Sequence, residues 1–393
     1  MKALHGCTVI DFTRVLAGPF CTMNLADLGA EVIKVESVTG DDTRAWGPPF
    51  VGTESAYYLC ANRNKRSLAV DLKASDVRHV ITALIQKADV IIHNFKPSSL
   101  KALGLDYDQV HSINPRAIYC GISGYGLTDN RPGYDYIIQA VSGLMSITGP
   151  TDGAPHKVGV AVVDLFTGLY AAVGILSALR QRETTNVGQQ IDIALYDAGL
   201  SILANVASNV LVGRQEAKRF GNEHPNIVPY QLFSTADGEI VITVGNDRQY
   251  NDFCHALGFS DLAQDERFQT NALRVTNRRE LCALLEDRIR FLSTQDVLTK
   301  LSVVDVPCGP VNSVAEALES PDTYKRNMVW QTYDAFGNVL KLVGSPLKLS
   351  AANPSLQSRP PRLGEHTQEI LEELGISDSQ IKHMKMRGVI HTC

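Results

Sequence analysis

A chain of 393 residues exceeds one ordinary hydrophobic core, so one large and one smaller domain are expected. Hydrophobic residues make up 44% and charged residues 20%, the composition of a protein that folds around a packed interior. A formal net charge of −5, with no Lys/Arg run and no basic aromatic stripe, excludes a chain built for nucleic acid but leaves small anionic substrates open.

The first half alternates short β-rich runs with helix-sized segments. Strands are predicted at Val9–Phe12, Glu31–Val35, Ser67–Asp71, Asp89–His93 and Ala117–Gly121, with helices over about 19–28, 75–87 and 97–112. Strands separated by helices imply right-handed βαβ units and a mostly parallel sheet. Helices follow near 133–147 and 164–182, then a strand at Gln189–Ala194 and a helix from about 195 to 211. The apolar stretch around 161–179 is interrupted by Asp164, Thr167, Gly168 and Gly174, which marks a buried helix rather than a membrane span. Residues 1–212 thus form the first part of a large domain. The polar, turn-rich segment 213–229 is a linker or active-site loop. A small domain is expected over 230–330, with one strand at Glu239–Val244 and three helix-sized stretches. Residues 331–393 return to the large domain through a Pro- and Ser-rich connector, Ser345–Pro361, and a helical tail, Gly364–Met386.

The eight cysteines are scattered without a CxxC, which points to reduced thiols, and the ten histidines do not cluster with them into a zinc site. No signal-peptide architecture precedes the first strand, so a cytoplasmic location is expected. Strand Val9–Phe12, the turn Thr13–Pro19, a helix and strand Glu31–Val35 have the layout of a nucleotide-binding βαβ unit. A dinucleotide fingerprint needs three glycines, and this turn has only Gly18; Gly121, Gly124 and Gly126 follow the order GxxGxG instead. A modified nucleotide-binding unit is the better reading. Asp164 stands where Val160-Ala161-Val162-Val163 passes into the apolar run Leu165–Ala172. It is either a helix cap or a carboxylate kept ionised, hence nucleophilic, by helix-terminal N–H groups, and both can hold at once.

Several segments in order along nearly the whole chain resemble the class III CoA-transferases, the family of formyl-CoA transferase and carnitine CoA-transferase. They are Arg14–Pro19, Leu28–Glu36, Asn64–Leu68, Asn94-Phe95, Gly124-Tyr125-Gly126, Val163-Asp164, Pro307–Pro310 and Leu363–Thr367. The runs Gly52–Tyr58 and Gly213–Phe220 are most similar to the succinyl-CoA-dependent branch that activates dicarboxylates such as hydroxymethylglutarate.

The resemblance implies a Rossmann-like α/β large domain, a small α+β domain, and a ring-shaped chain in an interlocked homodimer. It implies CoA transfer between carboxylic acids through an aspartyl anhydride and an aspartyl-CoA thioester on Asp164. It implies no metal and no permanently bound cofactor, coenzyme A or acyl-CoA serving as substrate, and neither nucleic acid nor membrane as partner. The implied CoA contacts are Val15, Leu16, Ala17, Val70, Lys73, Asn94, Phe95, Lys96, Lys101, Ser123 and Tyr125; solvated surface charge explains Lys73 and Lys96 as well as a phosphate contact does, and core packing is the plainer reading of Phe95. Arg14 and Tyr57 are the candidates facing the substrate acid. Arg14 and Leu16 replace the His and Gln of formyl-CoA transferase, so a different acid is expected. Backbone N–H groups of the loop at 221–227 are candidate oxyanion donors. The rival readings are an α-methylacyl-CoA racemase and a non-catalytic CoA-binding protein. The racemase's Gly-His-Asp motif stands here as Gly133-Tyr134-Asp135, and a phenol with an ordinary pKa of about 10 is a poor base at neutral pH.

Overall fold

Five of the six parallel strands are buried on both faces, and the sixth, the edge strand Gln190–Ala194, alternates exposed and part-buried residues. The computed structural model describes all 393 residues. Its main sheet has seven strands in the order Ile390–His391, Lys65–Val70, Glu31–Glu36, Thr8–Phe12, Val90–His93, Ile118–Ser123, Gln190–Ala194. Every pairing is parallel except that of Ile390–His391 against Val70 and Ala69. Alternate side chains enter two cores. Ile10, Ile33, Leu68 and Ile91 pack with helix Arg78–Lys87 and the tail helices Thr367–Glu373 and Asp378–Met386. Val9, Val32, Val90 and Ile118 pack with helices Ala17–Asp27 and Val162–Thr185. Burial of each such aliphatic side chain is worth about 1.5–3 kcal/mol.

Two compact units are present. One comprises Met1–Leu144, Val158–Leu203 and Pro321–Cys393; the other comprises Met145–Lys157 and Ala204–Ser320. The second unit draws in 145–157 through Arg219, whose guanidinium donates to the carbonyls of Ser146, Pro150 and Gly153 at 2.9–3.3 Å. Its antiparallel sheet has the order Cys308–Pro310, Glu239–Thr243, Tyr230–Ser234, and Ile240, Ile242 and Phe233 pack there against helices Asp247–Leu257, Arg278–Ile289 and Thr294–Val303.

Several elements differ from the pattern-based expectation. The stretch 97–112 forms two helices, Pro97–Leu103 and Tyr107–Ile113, because Gly104 takes φ +71° and stops the first. The stretch 133–147 holds the helix Asp135–Val141 and a short 3₁₀ turn. The tail breaks at Gly375, φ +77°. The stretch 195–211 becomes Leu195–Ser201 and Ala204–Leu211, and the return segment contains an unanticipated hairpin, Val329–Tyr333 with Val339–Val343. The helix Val162–Thr185 is long and apolar enough to cross a bilayer; here Val163, Gly168, Ala171, Ala172 and Ile175 are buried on one side.

Candidate active site

Chain order runs from Thr8–Phe12 outward to Glu31–Glu36 and Lys65–Val70, then returns to the opposite side of Thr8–Phe12 with Val90–His93. Such a reversal leaves a crevice at the carboxyl ends of the two strands, where open α/β sheets bind ligands. The segments that emerge there are tied by one side chain. Asn94 donates from Nδ2 to the Arg14 carbonyl at 2.8 Å and accepts the Arg14 N–H at 3.2 Å. Val15 sits at φ 72°, a left-handed conformation that a β-branched residue adopts only when its surroundings impose it.

The imposing surroundings are buried charges. Lys34 Nζ donates to the Thr13 carbonyl at 3.0 Å and to Asp41 at 2.9 Å. Lys65 Nζ donates to the Pro19 carbonyl and Asn62, both at 2.9 Å, and to Asp11 at 3.2 Å. Asp11 also accepts from the Thr13 N–H and the Thr22 hydroxyl. Burial alone would raise the Asp11 carboxyl; Lys65 and Lys34, with the threonine hydroxyls, outweigh it and hold it below the ordinary carboxylate range. Burial pulls the Lys65 ammonium down to about 8 against the attraction of Asp11, and the like charge of Lys34 adds to that pull. Both ends of the turn Thr13–Pro19 are thus anchored by ammonium groups that solvent does not reach.

Asp164 is the third residue of helix Val162–Thr185, whose first turn faces this turn. Gly168 permits the approach, because a Cβ there would lie 2.5 Å from the Ala17 carbonyl oxygen. The helix cap is not Asp164. Ala161 occupies the cap position without a side-chain bond, and Asp135 takes the role from outside, accepting the N–H of Val163 at 2.8 Å and of Asp164 at 3.3 Å. The Asp164 carboxylate itself accepts no hydrogen bond and is 9% exposed. Burial first, and then the Asp135 charge, raise its pKa to about 7. This corrects the expectation that helix-terminal N–H groups keep it ionised. Those groups are spent on Asp135. The Tyr57 phenol, in edge contact with Trp46 at 5.3 Å, is pushed up to about 12 by burial and then by Asp164.

The cleft has a volume of about 280 Å³. Of the residues singled out in the sequence, Arg14, Val15, Leu16, Ala17, Asn94, Phe95, Lys96, Ser123 and Asp164 line it. Val70 does not; it is wholly buried in the core, so its side chain packs rather than binds. Lys73 and Lys101 are exposed away from the wall, and Tyr57 and Tyr125 also lie off it. Tyr125 instead carries the Arg131 guanidinium, 3.8 Å above its ring, and Arg131 is paired with Asp129 at 2.7 Å. Arg131 lines the cleft and escaped the sequence pattern, because Asp129-Asn130-Arg131-Pro132-Gly133 has the composition of any surface turn; Tyr134, weighed in the sequence only as a poor base in place of the racemase histidine, lines it too. The turn lies close because Gly124 and Gly133 touch backbone to backbone; a Cβ on Gly133 would stand 2.3 Å from the Gly124 Cα. Arg14, Lys96 and Arg131 stand on the cleft wall, Arg14 paired with Asp42 at 3.0 Å and Arg131 with Asp129, and cations of this kind suit phosphate or carboxylate groups. The loop at 221–227 belongs to the second unit.

A family model described as CoA-transferase family III matches residues 4–367. The chain is 44% identical to the succinyl-CoA:glutarate CoA-transferase of Homo sapiens over 99% of its own length and 90% of that protein's. It is 42% identical to the succinate–glutarate CoA-transferase of Agrobacterium fabrum over 94% and 95% of the two chains. A CAIB/BAIF family protein from Brucella suis superposes with a TM-score of 0.84 at 45% identity, over 95% of this chain and 99% of that one.

Proposed function

The chain belongs to CoA-transferase family III, and from that premise we propose that it moves CoA between succinyl-CoA and a second dicarboxylate of about glutarate size, through Asp164. The observation that carries the proposal is the bare, buried Asp164 carboxylate on the wall of a cation-lined cleft at the sheet's switch point. Full-length identity above 40% to two transferases named for succinyl-CoA or succinate and glutarate supports the choice of acids.

The chemistry follows from one carboxylate. An Asp164 oxygen attacks the thioester carbonyl, the C–S bond breaks, and CoA leaves as thiolate from a mixed anhydride. The thiolate attacks the aspartyl carbonyl, which expels the donor acid and leaves aspartyl-CoA. The acceptor carboxylate attacks that thioester, CoA leaves again, and its thiolate takes the acceptor acyl group, restoring Asp164. No net proton is gained or lost. Only the ionised form of Asp164 attacks, so with a pKa of about 7 the acidic limb of kcat/KM should rise through neutrality.

The same reading includes an interlocked homodimer of ring-shaped chains. Its support is the outer side of helix Val162–Thr185, where Phe166, Leu169, Tyr170, Val173 and Leu176 are 36–60% exposed, an apolar stripe of the kind a partner subunit covers. Sedimentation at micromolar concentration should give a dimer and no folded monomer. The activity test is a panel of acids with succinyl-CoA as donor. Five- and six-carbon dicarboxylates should outperform oxalate and every monocarboxylate; an equal or better rate for formyl-CoA with oxalate would overturn the assignment. A racemase would process a chiral acyl-CoA with no acceptor acid present, and a binding protein would turn over neither.

A further inference from the structure

The first N–H groups of a helix have no partner within it and attract a carboxylate. At the start of Val162–Thr185 two carboxylates are in reach and only one takes them. Asp135 comes from the preceding helix, Asp135–Val141, and the hydrogen bonds beyond it are ordered. Its Oδ2 accepts from Gln139 Nε2 at 2.6 Å, and Gln139 Oε1, on a wholly buried side chain, accepts the Val158 N–H at 2.9 Å. Two residues one turn apart therefore stitch both the lead-in segment and the first turn of the helix that carries Asp164.

We propose that Asp135 is a positioning residue for the transfer reaction: by occupying the helix N–H groups it fixes the first turn and leaves the Asp164 carboxylate without hydrogen bonds, aimed into the cleft. The proposal rests on Asp164 being the nucleophile. A carboxylate that accepts hydrogen bonds must give them up before it attacks, and one held bare need not. The other charged or titratable groups around Asp164 are Arg14, Lys96, Asp129, Arg131 and the Tyr134 phenol on the cleft wall, and the Tyr57 phenol. Asp135 is the one whose charge bears on the Asp164 carboxyl, and its loss would make that group easier to ionise.

The test compares Asp135→Ala and Asp135→Asn in the full chain, with succinyl-CoA and glutarate as substrates. Asp135→Ala loses the acceptor, so kcat should fall on the order of 100-fold as the carboxylate loses its aim. Asp135→Asn keeps an acceptor oxygen for the two N–H groups. It should recover most of kcat while the acidic limb of kcat/KM moves down by about one pH unit. A purely structural role would lower folded yield without moving that limb. If Asp135→Ala does not fold, the limb of Asp135→Asn decides alone. Wild-type kcat in Asp135→Ala, or an unmoved limb in Asp135→Asn, overturns the proposal. Asp164→Asn run alongside separates the two readings. Turnover in that variant removes the nucleophile, whereas an inactive Asp164→Asn beside wild-type-like Asp135 variants removes the positioning role only.

Discussion

Asp11 and Asp164 belong to the same unit, solvent barely reaches either, and they are opposite kinds of carboxylate. Asp11 meets the Lys65 ammonium, the Thr13 N–H and the Thr22 hydroxyl, and is held below the usual range. Asp164 meets no donor and is raised to about 7. Burial acts in the same direction on both. What differs is the partner: ammonium groups overrule burial at Asp11, and the like charge of Asp135 reinforces it at Asp164. A buried acid anchored by cations holds a backbone in place, here the turn whose Val15 is left-handed. A buried acid without them keeps its reactivity for a ligand.

Substitutions should separate the two along these lines. Asp164→Asn is expected to lose turnover by a factor on the order of 10⁴, since an amide cannot open a thioester, while CoA affinity stays close to wild type because other segments line most of the cleft. Steady-state assay with a CoA-binding titration reads both. Lys65→Met strands the Asp11 charge with less compensation and should cost about 3–5 kcal/mol of stability, measured by denaturant unfolding. If it melts like wild type, the anchoring role of the cluster is wrong.

The pH dependence has opposite signs at the two sites. The raised pKa of Asp164 makes its stabilising contribution complete below about pH 4 and lost as pH rises through about 7. Asp164→Asn should therefore be more stable than wild type at pH 8, by on the order of 3–4 kcal/mol, with little gain at pH 4. The depressed Asp11 works the other way, its stabilisation being present above about pH 4 and lost in acid.

A smaller effect is expected at His93, which is wholly buried with neither ring nitrogen hydrogen-bonded. Burial depresses its pKa to about 4, so between pH 6.5 and 4 the unfolded chain binds the extra proton and stability falls with acidification. His93→Phe should remove that slope, giving about 2 kcal/mol at pH 5, read from thermal midpoints across pH.

The parallel strands were legible because runs such as Thr8–Phe12 and Val90–His93 are apolar on both faces and bounded by turn residues. Tyr230–Ser234 was not, because it abuts a polar, turn-rich segment, and Cys308–Pro310 has the composition of a turn. Ile390–His391 is two residues long, too short for any periodicity. About half of the cleft wall was legible through resemblance, since Arg14–Ala17 and Asn94–Lys96 are contiguous in sequence. The role of Asp135 was not: the sequence places it in Gly133-Tyr134-Asp135, beside the racemase motif, but the N–H it accepts lies 28 residues away. Val70 shows the converse, a matching position whose side chain the sheet consumes as core.

The central claim is that the bare carboxylate of Asp164 becomes acylated, and chemical trapping addresses it most directly. The protein is incubated with succinyl-CoA, quenched with hydroxylamine, digested, and its peptides weighed. The account predicts a hydroxamate on the peptide containing Asp164, absent without acyl-CoA and absent from Asp164→Asn. A hydroxamate on any other residue, or full turnover in the Asp164→Asn protein, would contradict it.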